Sequence, residues 1–307
     1  MVESSSQGSR GRTTKRPDAT KQPTSIELYS LAAEAAASQV IAAYSTSFGW
    51  ATKLLGREFS QPVENIYALV RVADEIVDGA AAGAGIAEPG KLLDELEAET
   101  YRAMGSGFSA NIVVHAFART AREAGIGRDI VEPFFFSMRQ DLTVVEHDQA
   151  SFDRYVYGSA EVVGLMCLQV FMLGRSYTEA ETATLVAGAR ALGAAFQKVN
   201  FLRDLAADFK ALGRSYFPNV NAANFDEATK ARLVADIDND LTAARASLAL
   251  LPSKPRQAVA AALGLFAALN RRIARTPATT LIEARIRVPN AQKLVILARA
   301  ITRPMSL

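Results

Sequence analysis

A chain of 307 residues, half of them hydrophobic and 21% charged, is long enough for one large domain or two ordinary ones, and nothing inside it marks a boundary between two. Its single cysteine, Cys167, lies in the apolar run 162–174, which excludes a disulfide framework and a cysteine metal site and fits a reducing cytoplasm. The net charge of +2 is unevenly placed, with basic residues gathered at both ends.

In chain order, residues 1–24 set Arg10, Arg12, Lys15, Arg16 and Lys21 against Glu3 and Asp18 among Ser, Gly, Thr and Pro. That composition cannot bury a core, so a disordered basic tail is expected, and without an apolar stretch no secretory signal is expected in it. From 25 to 307 apolar residues recur at three- and four-residue intervals. The pattern predicts helices over 25–43, 62–79, 90–104, 108–124, 129–146, 152–173, 179–211, 226–250, 255–275 and 277–301. Gly and Pro supply the breaks: Gly79 to Gly85, Pro89-Gly90, Gly105 to Gly107, Gly125 to Gly127, Pro218, Pro252 to Pro255 and Pro277. No convincing strand alternation is present, and no run approaches the roughly 20 apolar residues of a membrane span. His115 and His147 lack ligand spacing and read as ordinary helix or loop residues. From Arg271 onward, Arg272, Arg275, Arg285, Arg287, Lys293, Arg299 and Arg303 are opposed only by Glu283. This segment reads as a solvated face, or as one that meets an anionic substrate or lipid. The expected architecture is all-α, a single large helical bundle that builds its site from side chains on facing helices.

Two acidic motifs stand out in that pattern. Asp74-Glu75-Ile76-Val77-Asp78 and Asp204-Leu205-Ala206-Ala207-Asp208 each carry aspartates four residues apart, with Arg71 and Arg203 just upstream. On a helix such a pair lies about 40° apart around the axis, so both carboxylates leave one face and repel unless a cation sits between them. Either motif alone would equally suit a solvated helix face. The apolar runs 67–73 and 194–202 before them favour burial, which a carboxylate tolerates only when paired or metal-bound. Hard divalent ions take oxygen ligands together with substrate phosphates, so two such helices suggest a metal-diphosphate clamp. The pairs Gly83/Gly85 and Gly125/Gly127 lack a third glycine and follow no strand, and no Gly-x-x-x-x-Gly-Lys loop occurs. A diphosphate must therefore be held by metal and arginine.

Four blocks resemble the squalene and phytoene synthases, which join two prenyl diphosphates head to head. They are Tyr44-Ser45-Thr46-Ser47-Phe48, Arg71 through Asp78, Tyr155 through Gly164, and Gln197 through Asp208 followed by Gly213-Arg214-Ser215-Tyr216-Phe217-Pro218. The resemblance spans about residues 28–303. Glu161 departs from the small residue usual at its position, which puts an ionisable group beside the cavity, and Ser159 replaces a common Val.

The resemblance implies an isoprenoid-synthase bundle with a central cavity. Asp74, Asp78, Asn200, Asp204 and Asp208 would hold Mg²⁺, with Mn²⁺ as a substitute, and Glu75 is a further candidate. Arg71, Arg203, Arg214 and Arg285 would bind diphosphate, a task suited to the guanidinium fork, and Gln197 belongs to the same substrate-binding block. Ser45 and Ser47 would donate hydrogen bonds, Phe48 and Tyr67 would line the pocket, and Tyr157 and Tyr216 would face cationic intermediates or sit in the core. Phytoene from geranylgeranyl diphosphate, made without NADPH, is the expected product, because Arg214 through Pro218 and Arg285-Ile286-Arg287-Val288-Pro289 read more like phytoene than squalene synthases. The alternatives are a squalene, dehydrosqualene or hydroxysqualene synthase using farnesyl diphosphate, or a catalytically silent assembly factor of the same fold. A cytoplasmic protein is expected, touching the inner face of the membrane transiently as its apolar product leaves, with no nucleic-acid partner.

Overall fold

The structure, a computed structural model, describes residues 22–207 and 216–304, apart from the side chains of Thr46, Ser47, Phe48, Trp50, Ala82 and Ala207. The basic tail, Asp208 and Arg214 therefore lie outside the described residues, as do the side chains of Ser47 and Phe48. Among the described residues the fold is all helix, without a strand.

Helix α1 (Ser25–Tyr44) starts where the capping chemistry dictates. The Thr24 hydroxyl accepts from the Glu27 N–H at 3.3 Å, and the Glu27 carboxylate accepts from the Thr24 N–H at 2.7 Å. Next come α2 (Thr46–Leu54), α3 (Arg57–Val77), the short α4 (Ala80–Gly83), α5 (Pro89–Ser106) and α6 (Ile112–Ala124). Ala33 and Ala37 of α1 meet Ala68 of α3 and Ala116 of α6, all four fully buried, and these small side chains let the three helices pack closely. Helix α3 begins before Pro62 rather than at it. Proline in an early turn removes one N–H without ending the helix, so the sequence pattern starts this element too late.

Helix α7 (Arg128–Gln140) stops short of the expected residue 146. Helix α8 (Gln149–Val156), a π-turn (Tyr157–Glu161) and α9 (Val162–Met172) then form one continuous run. Contrary to the sequence reading, the run Gln149–Met172 is long and apolar enough to cross a membrane, but half of its apolar window is buried against other helices. It packs on α3, α7 and α10 (Glu179–Ala207), which makes it the core helix of the bundle. A Cβ on Gly158 would lie 2.1 Å from the Pro133 carbonyl oxygen, and one on Gly193 would lie 2.5 Å from that of Ala160. The π-turn therefore contacts α7 and α10 backbone to backbone.

Helices α11 (Glu227–Ala246) and α12 (Ser253–Arg275) close the bundle against α10. The single helix expected over 277–301 is instead α13 (Ala278–Leu281), an extended stretch and α14 (Asn290–Thr302). The reason is local: Pro289 disfavours helical backbone at Val288, and β-branched Ile286 and Val288 favour extension.

His115 lies in a helix and His147 in a loop, and both are buried. His115 Nδ1 accepts from the Ser109 N–H at 3.4 Å and its Nε2 meets the Ser30 hydroxyl at 3.0 Å, which ties α1 to α6. Burial lowers the pKa of His115, assisted by Arg119, and burial also lowers that of His147, opposed by Asp148. Each ring stays neutral in the fold at a pH where the unfolded chain, titrating near 6.5, is protonated. This contribution to stability is complete above about pH 6.5 and is lost as the pH falls below it. The urea midpoint is expected to drop between pH 7.5 and 5.5, and His115→Gln should flatten that slope; a midpoint independent of pH would contradict the assignment.

Candidate active site

The C-terminal end of α3 carries the first acidic motif. Arg71 Nη1 donates to Asp74 Oδ2 at 2.6 Å and its other terminal nitrogen donates to Glu75. The guanidinium also stacks 4.3 Å over the Tyr44 ring, while its buried Nε has no partner. Glu75 is committed to structure, since its second oxygen accepts the Ala80 N–H at 2.8 Å and shapes the turn after Asp78. Burial raises the Asp74 pKa, Arg71 opposes the rise, and Asp78 and Glu75 add to it. Tyr67 hydrogen-bonds Ser45 and lies close enough to feel the charges of Arg71 and Asp74. Ser45, Tyr67, Arg71 and Asp74 therefore form one group. The burial expected of the first acidic pair is incomplete: Asp78, the cap of α3, is exposed, and Asp74 is partly buried, because the helix ends at Val77 beside solvent.

The second motif ends α10. Asp204 accepts from Arg203 at 3.0 and 2.6 Å, and from Arg285 Nε at 2.7 Å. The break between α13 and α14 is what frees Arg285 to reach across. One turn before Asp204, the side-chain amide oxygen Oδ1 of Asn200 is buried without a hydrogen-bond partner. A buried orphan acceptor carries a desolvation cost of about 1–3 kcal/mol, which a ligand donor or cation would offset. Gln197 is half-buried one turn earlier still.

An aromatic cluster packs against the end of α10. Tyr216 stacks on Phe201 at 4.1 Å, and Tyr155 lies 6.0 Å from Phe201 and 5.6 Å from Tyr216. Tyr155 donates to Asp141 Oδ1 at 2.7 Å, and burial drives its pKa well up, followed by the charge of Asp141 and, more weakly, that of Asp78. Phe201 thus lies against this ring, and the charge of Asp78 at the end of α3 reaches it. Tyr155 and its support His147, 5.0 Å away, are absent from the sequence-based site. The only sequence signal for them is the position of Tyr155 at the head of the 155–164 block.

The donors Asp74, Asp78, Asn200 and Asp204 are all oxygens, the set that suits a hard divalent cation. Among the described residues no three His, Cys, Asp or Glu side chains already converge as a metal site. Asp74 and Asp204 instead face arginines, and the orphaned Asn200 oxygen is the atom that fits an incoming cation.

A sequence model of squalene/phytoene synthase matches residues 41–292. The chain belongs to the squalene/phytoene synthase family. A 15-cis-phytoene synthase of Paracoccus sp. is 28% identical over 251 residues, 75% of this chain and 78% of its own. Another, from Pantoea ananas, is 29% identical over 249 residues, covering 73% and 77%. In fold, this prenyltransferase family member is similar to a crystal structure of a dehydrosqualene synthase, with a TM-score of 0.73 at 20% identity over 91% of this chain and 99% of that one. It is also similar to a squalene synthase from Alicyclobacillus acidocaldarius, with a TM-score of 0.70 at 17% identity over 81% and 97%.

Two side chains of the synthase's central segment share one partner on α10, Arg190. Tyr157 packs under Arg190 at 5.2 Å, on a part of α10 about 21 Å from Asp204 at roughly 1.5 Å rise per residue. It lies beside the middle of α10, away from that helix's acidic end. Glu161 pairs with Arg190 at 2.7 Å, so the unusual carboxylate is compensated.

Proposed function

We propose that this synthase condenses two geranylgeranyl diphosphates head to head to 15-cis-phytoene, releasing two diphosphates. What supports the reading most is the end of α10, where the unpartnered Asn200 oxygen sits one turn from an Asp204 flanked by Arg203 and Arg285. That arrangement offers oxygen ligands and anion-binding guanidiniums side by side. The phytoene synthases among its relatives support the product.

Asp74, Asp78, Asn200 and Asp204, with Asp208 as the remaining expected ligand, would hold Mg²⁺. When bound, the ion supplies Lewis acidity at the leaving diphosphate. Arg71, Arg203 and Arg285 exchange their carboxylate partners for diphosphate oxygens, which keeps each charge compensated throughout. The Ser45 hydroxyl, oriented by Tyr67, donates to the same group. As charge builds on the leaving diphosphate these donors stabilise it, and the allylic C–O bond breaks to a carbocation. The apolar helix faces exclude water that would quench it. The double bond of the second substrate attacks to form a cyclopropylcarbinyl diphosphate. A second ionisation, rearrangement and proton loss leave a central alkene, and no reductant is consumed.

Product analysis after incubation with geranylgeranyl diphosphate and Mg²⁺ tests this directly. Phytoene formed without NADPH is the expected result. Products from farnesyl diphosphate alone would assign the chain to the squalene or dehydrosqualene type instead.

A further inference from the structure

We propose that the outward face of α14, together with an arginine-lined cavity between α12 and α14, docks on a bilayer bearing anionic phospholipid and takes a lipid phosphate into the cavity. Helix α14 is amphipathic in the unusual sense. Its inward face buries only Ile296 and Ala300, while Leu294, Val295 and Ile301 stand 56%, 50% and 48% exposed. At about 100° per residue, Leu294, Val295, Ala298 and Ile301 fall within a sector of roughly 120° that contains no charged residue. An apolar stripe of that kind on a helix surface is a contact face rather than a solvated one.

The cavity decides the partner. It holds about 320 Å³ and is lined by Arg271, Arg272, Arg275, Thr276, Gln292 and Ala268. Gln292 stacks in one column of α14 with Val295 and Arg299, so the cavity opens beside the apolar stripe. Arg271, Arg272, Arg275 and Arg299 make no ion pair among the described residues. Guanidiniums without carboxylates suit phosphate oxygens. A second copy of the chain fits poorly, because a two-fold interface on this face would set arginines against arginines. A bilayer surface supplies both complements at once, anionic headgroups for the cavity and acyl chains for the stripe. The inference does not depend on the reaction proposed above.

The test is co-sedimentation of the full-length protein with vesicles of phosphatidylcholine, with and without phosphatidylglycerol. Binding is expected only with phosphatidylglycerol, and it should weaken as salt rises. The triple variant Arg271→Gln/Arg272→Gln/Arg275→Gln should lower the partition coefficient roughly tenfold or more. Leu294→Ser/Val295→Ser/Ile301→Ser should do likewise, and both variants should keep wild-type circular dichroism and turnover in detergent. Three results would overturn the proposal: no vesicle binding by the wild type, undiminished binding by both variants, or a wild-type dimer that the serine variant converts to monomer without any vesicle binding.

Discussion

Asp204→Asn is expected to lower turnover by about 10³-fold or more while leaving the helical circular dichroism unchanged. The substitution keeps the volume of the side chain and removes its charge. Asp204 is the carboxylate on which Arg203 and Arg285 converge, 2.6 and 2.7 Å away, beside the unpartnered Asn200 oxygen. Both ion pairs are partly solvated, and exposed pairs of this kind contribute only about 0–1 kcal/mol, so stability should hardly move. The catalytic loss is larger because the same charge would hold the cation that stabilises the leaving diphosphate. Undiminished turnover in Asp204→Asn would remove Asp204 from the chemistry.

Gly158→Ala is the substitution expected to cost the most stability, about 3 kcal/mol, read as a lower urea midpoint with an unchanged slope. A methyl group there would lie 2.1 Å from the Pro133 carbonyl oxygen and 2.2 Å from the Ser137 hydroxyl, and the backbone of α7 has no room to retreat inside the core. Gly105→Ala makes the matching control. It lies within α5 with nothing near its missing side chain, so the same change there should stabilise by about 0.5–1 kcal/mol. Equal effects at the two positions would mean that the π-turn is not packed backbone to backbone.

The all-helical bundle was legible because helical periodicity survives along most of the chain, and the acidic motifs were legible because an aspartate pair four apart is a local signal. Features that depend on where a helix ends were not. Asp78 is exposed because α3 stops at Val77, and the apolar residues before it say nothing about that end. Arg285 reaches Asp204 because the chain straightens before Pro289, whereas continuous periodicity predicted one long helix. Tyr157 and Tyr155 are two positions apart in one sequence block, about 200° around a helix, so one faces Arg190 and the other Phe201. The partner that compensates Glu161, Arg190, was not legible because it comes from a different helix.

The claim beneath all of this is that two acidic motifs, on α3 and α10, serve one cation-diphosphate site. Calorimetric titration of inorganic diphosphate in the presence of Mg²⁺ tests it most directly, with wild type, Asp74→Asn, Asp204→Asn and the double variant side by side. A shared site requires Mg²⁺-dependent binding that either single substitution abolishes, with the double variant no worse than each single. Binding that survives in one single variant, or losses that simply add, would mean two separate sites and would contradict it.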